Sequence, residues 1–265
     1  MTELLLREAS TTSAALLRIA IVLLLWTRWA ADLSFVTTPS VALSLLFFVA
    51  TTCLLIGLWT RVAAVATAIA ASILYFWFGA HLGRAAWIHH HHYLLISAAW
   101  ICALTPCGRS LAIDARGSGR GPVWALRLYT LQLAAVYLWS GVDKLSPAWL
   151  SGARPQQIAM DLYFGSDPPQ WHALAVAGAW LVMLLELALG LGFLLGKTPR
   201  WLLLAGIGLH AAIYICVPVA TFSATMVCLY LAALDPDGVH RILHAGARDP
   251  VARTAAAAPI TAARG

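Results

Sequence analysis

Charged residues are scarce in this chain of 265 residues. It has only 17 basic and 11 acidic residues, a charged share of 11%, against 61% hydrophobic residues. An ordinary soluble domain is about a quarter charged, so these few charges cannot cover a water-soluble surface. The same scarcity excludes a disordered chain and a nucleic-acid-binding protein, because both need far more charge. We therefore expect an integral membrane protein whose partners include membrane lipid but no nucleic acid.

Cysteines are also few, and none of them forms a CxxC pair. The five cysteines are Cys53, Cys102, Cys107, Cys216 and Cys228. All of them fall in or beside apolar segments, where cysteine most often serves as a small buried residue. The sequence therefore predicts neither a disulfide framework nor a cysteine metal site.

Long apolar runs are abundant, and eight of them approach the 20 or so residues that a membrane crossing needs. They lie at about 15–36, 41–59, 62–82, 86–106, 123–143, 172–196, 200–217 and 219–234. We predict an all-α, polytopic transmembrane helical bundle with about eight spans. The predicted parts are a cytoplasmic segment (1–14), the bundle (15–235) and a cytoplasmic, partly disordered tail (236–265).

The basic residues distribute unevenly between the two ends of these spans. Thirteen of the 17 fall on the side of the amino terminus, and the opposite side keeps only Arg84, Lys144 and Arg154. Cytoplasmic loops of membrane proteins carry such an excess of basic residues. Both termini are therefore predicted to be cytoplasmic, in a multi-pass protein of the cytoplasmic (inner) membrane.

A few ionisable residues fall inside the spans, where they are costly and mark either a site or a bond between helices. Arg28 and Asp32 lie four residues apart on one face of the first helix, and could pair with each other or across the bundle. We favour a structural role for them. Glu186 and His210 lie deeper, and could hydrogen-bond each other or a polar ligand. Gly190, Gly192 and Gly196 would let the helix that carries Glu186 approach a neighbour closely.

Four histidines in a row open the fourth span. Successive helical residues turn by 100°, so His89 and His92 share one face, while His90 and His91 point elsewhere. One of them could act as a catalytic or hydrogen-bonding group, or the run could simply be interfacial polarity. Metal binding by His89 and His92 is a weaker alternative, since neither an HxxxH spacing nor a carboxylate ligand accompanies them. We expect no metal.

Lys144 ends the fifth span, at the same non-cytoplasmic side as the histidine run. Its charged end could simply reach towards the headgroup layer. Alternatively, a lysine shielded from water could act as a neutral base. Composition alone does not distinguish these two roles. Because Lys144 and the histidines are predicted on the same side of the membrane, we favour a site in which Lys144 and a histidine act together.

Three strings of the sequence resemble the HTTM superfamily, which includes the membrane domain of vitamin K-dependent gamma-glutamyl carboxylase and its bacterial homologues. They are YLWSGVDKLSPAWLSG (137–152), HHHHYLLISAAWICALTPCGRSLAIDA (89–115), and His210 followed by FSATMVCLYLAAL (222–234). The most specific element is the Lys144–Leu145 pair, which follows Gly141 and precedes Trp149. Together with the intervening spans, the resemblance covers most of residues 15–235.

The resemblance implies an integral membrane enzyme that uses a reduced vitamin K-type quinone and O₂. In the carboxylase a lysine deprotonates the quinone, and its epoxidation generates a base strong enough to remove a glutamate gamma proton before CO₂ adds. Lys144 takes the position of that base, and His91 that of an assisting histidine. The residues expected to bind quinone or substrate are Tyr93, Trp149, His210 and Glu186. The implied partners are a lipid-soluble quinone and a peptide or protein glutamate, for carboxylation or a related proton abstraction.

A weaker similarity links Gly57–Arg61 (GLWTR) to small DoxX-like membrane proteins. It supports an alternative function, a non-catalytic polytopic membrane subunit or a quinone-binding, DoxX-like redox partner. In that case Lys144 would only reach towards the headgroups, and the other buried polar residues would be structural.

Overall fold

The computed structural model describes residues 7–34, 41–83, 90–161, 171–216 and 219–245 as a helical bundle with one short β-ribbon. The ribbon pairs β1 (Glu8–Ser10) antiparallel with β2 (Arg120–Pro122). The first helices are α1 (Thr12–Ser34), α2 (Val41–Ile56), α3 (Thr60–Ser72, continued by a π-helical segment, Ile73–His81) and α4 (His90–Leu104). The others are α5 (Leu126–Asp143), α6 (Pro147–Leu150), α7 (Ala153–Ala159), α8 (His172–Leu195), α9 (Arg200–Cys216), α10 (Ala220–Leu229, continued by a 3₁₀ turn, Tyr230–Ala233) and α11 (Pro236–His244).

The eight longer helices coincide with the eight apolar segments of the sequence, and the all-α prediction is confirmed. Three described helices are long and apolar enough to cross a membrane, namely Thr12–Ala31, Thr60–His81 and His172–Leu195. The shorter apolar helices are Val41–Ile56, His92–Leu104, Arg200–Cys216 and Ala220–Ala233. The number of crossings and the side on which each terminus lies stay predictions.

The two ends of the bundle differ in structure. Residues 105–125, which we call the connector, join α4 to α5 and lie beside the start of α1, where the Thr11 N–H donates to the Gly119 carbonyl (2.9 Å). We call this the connector end. Because α4 ends there and α5 begins there, His92 and Lys144 share the opposite end, which we call the far end. That the histidine run and Lys144 lie at one membrane depth stays a prediction.

Helices α5 and α8 pack unusually closely because each has a glycine at the contact. A Cβ atom on Gly190 would lie 2.7 Å from Leu138 Cγ, and one on Gly141 would lie 2.7 Å from Leu187 Cδ2. Small residues of this kind let the backbones of membrane helices approach. The expected role of Gly190 is therefore confirmed, whereas Gly196 instead ends α8 with a φ of 66°.

Two elements at the connector end were not expected from the sequence. The β-ribbon pairs part of the predicted amino-terminal segment with part of the connector, and α11 arises from the start of the predicted tail. Asp237 holds them together, since its Oδ1 accepts from the Ser10 N–H (3.0 Å) and from Arg120 Nη1 (3.0 Å). These contacts hold the pKa of Asp237 below its usual range, the Ser10 N–H contributing most. The rest of the tail, from residue 246, lies outside the described residues.

The orientation of the bundle can be tested by the accessibility of introduced thiols. Ser118 is exposed in the connector, and Ser151 is exposed at the far end between α6 and α7. In a Cys216→Ser background, we expect Ser151→Cys to react with an impermeant maleimide on spheroplasts. Ser118→Cys should react only after the membrane is opened, because the basic connector end faces the cytoplasm. The opposite labelling pattern would overturn the predicted sidedness.

Candidate functional site

Lys144 and Glu186 form a buried ion pair at the far end of the bundle. Lys144 follows the last residue of α5, and its Nζ lies 2.9 Å from Glu186 Oε2 and 3.2 Å from Oε1. The side chains are only 15% and 6% exposed, respectively. The pair exists because the glycines of α5 and α8 bring these helices together. Sequence analysis selected both residues but did not predict that they contact each other.

Ser140 fixes the geometry of this pair. It lies one helical turn before Lys144, and its Oγ is 2.7 Å from Lys144 Nζ and 3.1 Å from Glu186 Oε1. Lys144 Nζ donates to the hydroxyl, which in turn donates to the carboxylate. The three groups thus form a closed network that holds the ammonium and the carboxylate in one arrangement.

One oxygen of this network retains capacity for a further partner. Glu186 Oε2 is buried, and the polar group that the described residues place beside it is the Lys144 ammonium, 2.9 Å away. A carboxylate oxygen can accept more than one hydrogen bond, so Oε2 has room for a ligand hydroxyl as well.

Trp149 covers the ammonium of Lys144. Its ring centroid lies 4.9 Å from Lys144 Nζ, a distance at which the ring face attracts a cation. The indole N–H donates to the Ala179 carbonyl of α8 (3.0 Å), which fixes the ring. Trp149 therefore lies at the site, as expected, and its binding of a quinone stays a prediction.

A second buried polar cluster lies two turns earlier on α5. The Tyr137 hydroxyl is 2.6 Å from His210 Nε2 and also hydrogen-bonds the Tyr230 hydroxyl. A Cβ on Gly206 would come within 2.3 Å of the Tyr230 oxygen, so that glycine makes room for the cluster. Among the described residues, His210 Nδ1 has no hydrogen-bond partner. His210 thus pairs with Tyr137, and the suggested contact between Glu186 and His210 is not formed.

The sequence contained a signal for the residues that were missed. Tyr137, Ser140 and Lys144 are spaced by three and four residues, and therefore lie along one face of α5. Considered singly, tyrosine and serine are ordinary in a membrane helix. Only their alignment with Lys144 distinguishes them.

Arg28 contacts the histidine helix across the bundle. Its Nε donates to His92 Nε2 (2.6 Å), and the buried His92 ring meets Trp29 edge-on, with centroids 5.6 Å apart. One of the two ring nitrogens through which His92 could bind a metal is therefore occupied by a cationic donor. The side chain of Asp32 lies outside the description, so its pairing with Arg28 stays a prediction.

The remaining predicted site residues either lie away from the Lys144–Glu186 pair or fall outside the part of the chain that the structure describes. His89 lies outside the described residues, and His91 is helical but its side chain is not described. Tyr93 is 57% exposed and its ring lies 6.3 Å from that of Tyr75 on α3. It therefore faces the outer surface rather than the Lys144–Glu186 pair. The roles of His91 and Tyr93 stay predictions.

Comparison with known protein families identifies the bundle. The model of the HTTM domain family matches residues 29–237, most of the chain. The chain belongs to the HTTM family. The resemblance seen in the sequence is thereby confirmed, and this HTTM protein belongs to the membrane family related to gamma-glutamyl carboxylase. No curated protein and no solved structure matches it significantly.

The Lys144–Glu186 pair predicts non-additive effects on stability. Lys144→Met or Glu186→Leu alone should destabilise this HTTM protein by about 3 kcal/mol, because each leaves one buried group without its partner. The double variant Lys144→Met/Glu186→Leu should recover most of that loss. Thermal unfolding in detergent, followed by tryptophan fluorescence, measures the difference. Additive losses in the double variant would contradict the ion pair.

Proposed function

We propose that this protein is a membrane enzyme that takes a proton from a reduced quinone at the Lys144–Glu186 pair and uses O₂ at that quinone. The observation that carries the proposal is the shielded ion pair itself, in which Glu186 Oε2 lies 2.9 Å from the Lys144 ammonium. Membership of the HTTM family supports the same chemistry.

The residues present fit a flat aromatic ligand that carries a hydroxyl. The hydroxyl would donate to Glu186 Oε2, and its oxygen would lie near Lys144 Nζ. The indole of Trp149, held in place by α8, offers an apolar face for the ring of the ligand.

The pair can accept one proton without leaving a charge unmatched. It begins as an ammonium and a carboxylate, and the incoming proton converts the carboxylate into a carboxylic acid. Lys144 then faces the oxyanion that the ligand has become, and so stabilises it. Because water is largely excluded, this attraction is much stronger than it would be in solution. In this scheme Glu186 is the base that takes the proton, and Lys144 is the charged group that stabilises the oxyanion.

When it is bound, a reduced vitamin K-type quinone supplies, with O₂, the strong base that removes a proton from a second substrate. We propose a peptide or protein glutamate as that substrate, with carboxylation or a related proton abstraction as the result. His91 would assist at the glutamate, and His210, deeper in the bundle, would contact the quinone. The exposed Tyr93 faces away from the pair and could contact only a part of the ligand that extends towards the bilayer. The site would face the non-cytoplasmic side of the inner membrane.

Quinone turnover tests the proposal directly. Purified protein in lipid nanodiscs should convert a chemically reduced short-chain naphthoquinone to its epoxide in the presence of O₂, measured by liquid chromatography and mass spectrometry. Lys144→Ala should abolish the epoxide, and Glu186→Gln should lower its rate about 100-fold, a typical effect of losing an acid–base group.

The second lysine of the chain provides the matched control. Lys197 is exposed between α8 and α9, and Lys197→Ala should leave turnover unchanged. Equal epoxide formation by wild type and Lys144→Ala would overturn the proposal. Naphthoquinone binding without any turnover would also overturn it, in favour of the non-catalytic, quinone-binding alternative.

A further inference from the structure

Two cysteines meet at the connector end, far along α4 from the histidine run. Cys102 lies in the last turn of α4, and Cys107 lies in the turn that follows it. Their sulfur atoms are 3.7 Å apart, with the Cys102 thiol donating to Cys107, and both residues are buried. Both are free thiols.

The turn after α4 brings the two sulfurs together. The Thr105 N–H (3.0 Å) and hydroxyl (2.7 Å) both bond to the Cys102 carbonyl, which folds the chain back at Pro106. A disulfide requires sulfurs about 2.05 Å apart, so side-chain rotation with a small shift of this turn could close the bond. Four residues separate the cysteines, which is why a search for CxxC did not reveal them.

A buried cation lies behind Cys107. Arg18 of α1 is 0% exposed, and its Nη1 donates to the Cys107 carbonyl (2.7 Å) while Nη2 donates to the Leu111 carbonyl. A nearby positive charge favours the thiolate, which is the reactive form of cysteine. The hydrogen bond from Cys102 lowers the pKa of Cys107 to about 7, and Arg18 acts in the same direction.

Cys102 and Cys107 are among the residues that line a cavity of about 310 Å³ at the connector end, and Cys107 retains a small exposed fraction, 2%. This volume is at the lower end of the range for small-molecule sites. Exposed arginines, Arg61 from α3 and Arg109 from the connector, line the same cavity, together with Trp124. A small molecule that carries negative charge therefore suits its entrance.

We propose that Cys102 and Cys107 form a redox-active dithiol that reduces small anionic disulfides entering this cavity. The Cys107 thiolate attacks one sulfur of the ligand, whose disulfide bond breaks and releases a thiolate that takes up a proton. The Cys102 thiol then loses its proton and attacks Cys107 in the mixed disulfide, which releases the second ligand thiol. The protein dithiol is oxidised to a disulfide, and one ligand disulfide is reduced to two thiols.

Counting thiols in the full-length protein tests this site. After treatment with oxidised glutathione in detergent, denaturation and labelling with a maleimide, the number of free thiols should fall from five to three. Peptide mapping should identify a Cys102–Cys107 disulfide. A Cys216→Ser control, which removes an exposed cysteine far from the cavity, should still lose two thiols.

Single cysteine variants separate the attacking from the resolving thiol. Cys102→Ser should accumulate a glutathione adduct on Cys107, about tenfold faster than Cys107→Ser accumulates one on Cys102, because Cys107 has the greater thiolate character. Five free thiols after oxidant, or the loss of a different pair, would overturn the proposal. The readout involves no quinone, so it is independent of the Lys144–Glu186 chemistry.

Charge at the cavity entrance predicts ligand selectivity. Arg61→Gln should slow oxidation by oxidised glutathione several-fold but not oxidation by neutral hydroxyethyl disulfide. The matched variant Arg200→Gln, an exposed arginine at the start of α9, should change neither rate. Equal slowing with both disulfides would contradict selection of an anionic ligand.

Discussion

The close packing of α5 against α8 is the contact on which the candidate site depends. Gly141 and Gly190 remove the side chains that would otherwise separate these helices, and Lys144 thereby reaches Glu186. Neither ionised residue would be tolerable alone at this burial. The two glycines at this helix contact therefore make the Lys144–Glu186 ion pair possible.

Three cations of the described bundle contact different kinds of partner. Lys144 contacts a carboxylate, Arg28 contacts an imidazole, and Arg18 contacts the carbonyls of Cys107 and Leu111. Of these contacts, that of Lys144 is with a carboxylate, which can take up a proton. This difference explains why acid–base chemistry is proposed for Lys144. Arg18 instead holds the connector in place and puts a positive charge beside Cys107.

Much of the helical layout follows from the sequence, because apolar runs near 20 residues can be read without knowing what they contact. Sequence analysis also predicted three residues of the site, Lys144, Glu186 and Trp149. Charged residues are costly within a membrane, so their presence there indicates a function or a partner. Their mutual contact was not predictable, because it depends on the rotation of α5 and α8 about their axes. The same reason explains why the contacts of Tyr137 with Tyr230 and of Cys102 with Cys107 were not predicted. Each residue is ordinary in or beside an apolar helix, and only its contact with the other indicates a site.

The bond from Asp237 to Ser10 has a consequence for the order of assembly. These residues are 227 positions apart, and Arg120 joins the same carboxylate. Such a contact can form only after nearly the whole chain has been synthesised, whereas the α4–connector–α5 region needs only its own sequence. The connector end is therefore closed last, by its final helix, and until then the ribbon beside the thiol cavity lacks the carboxylate that joins its two strands.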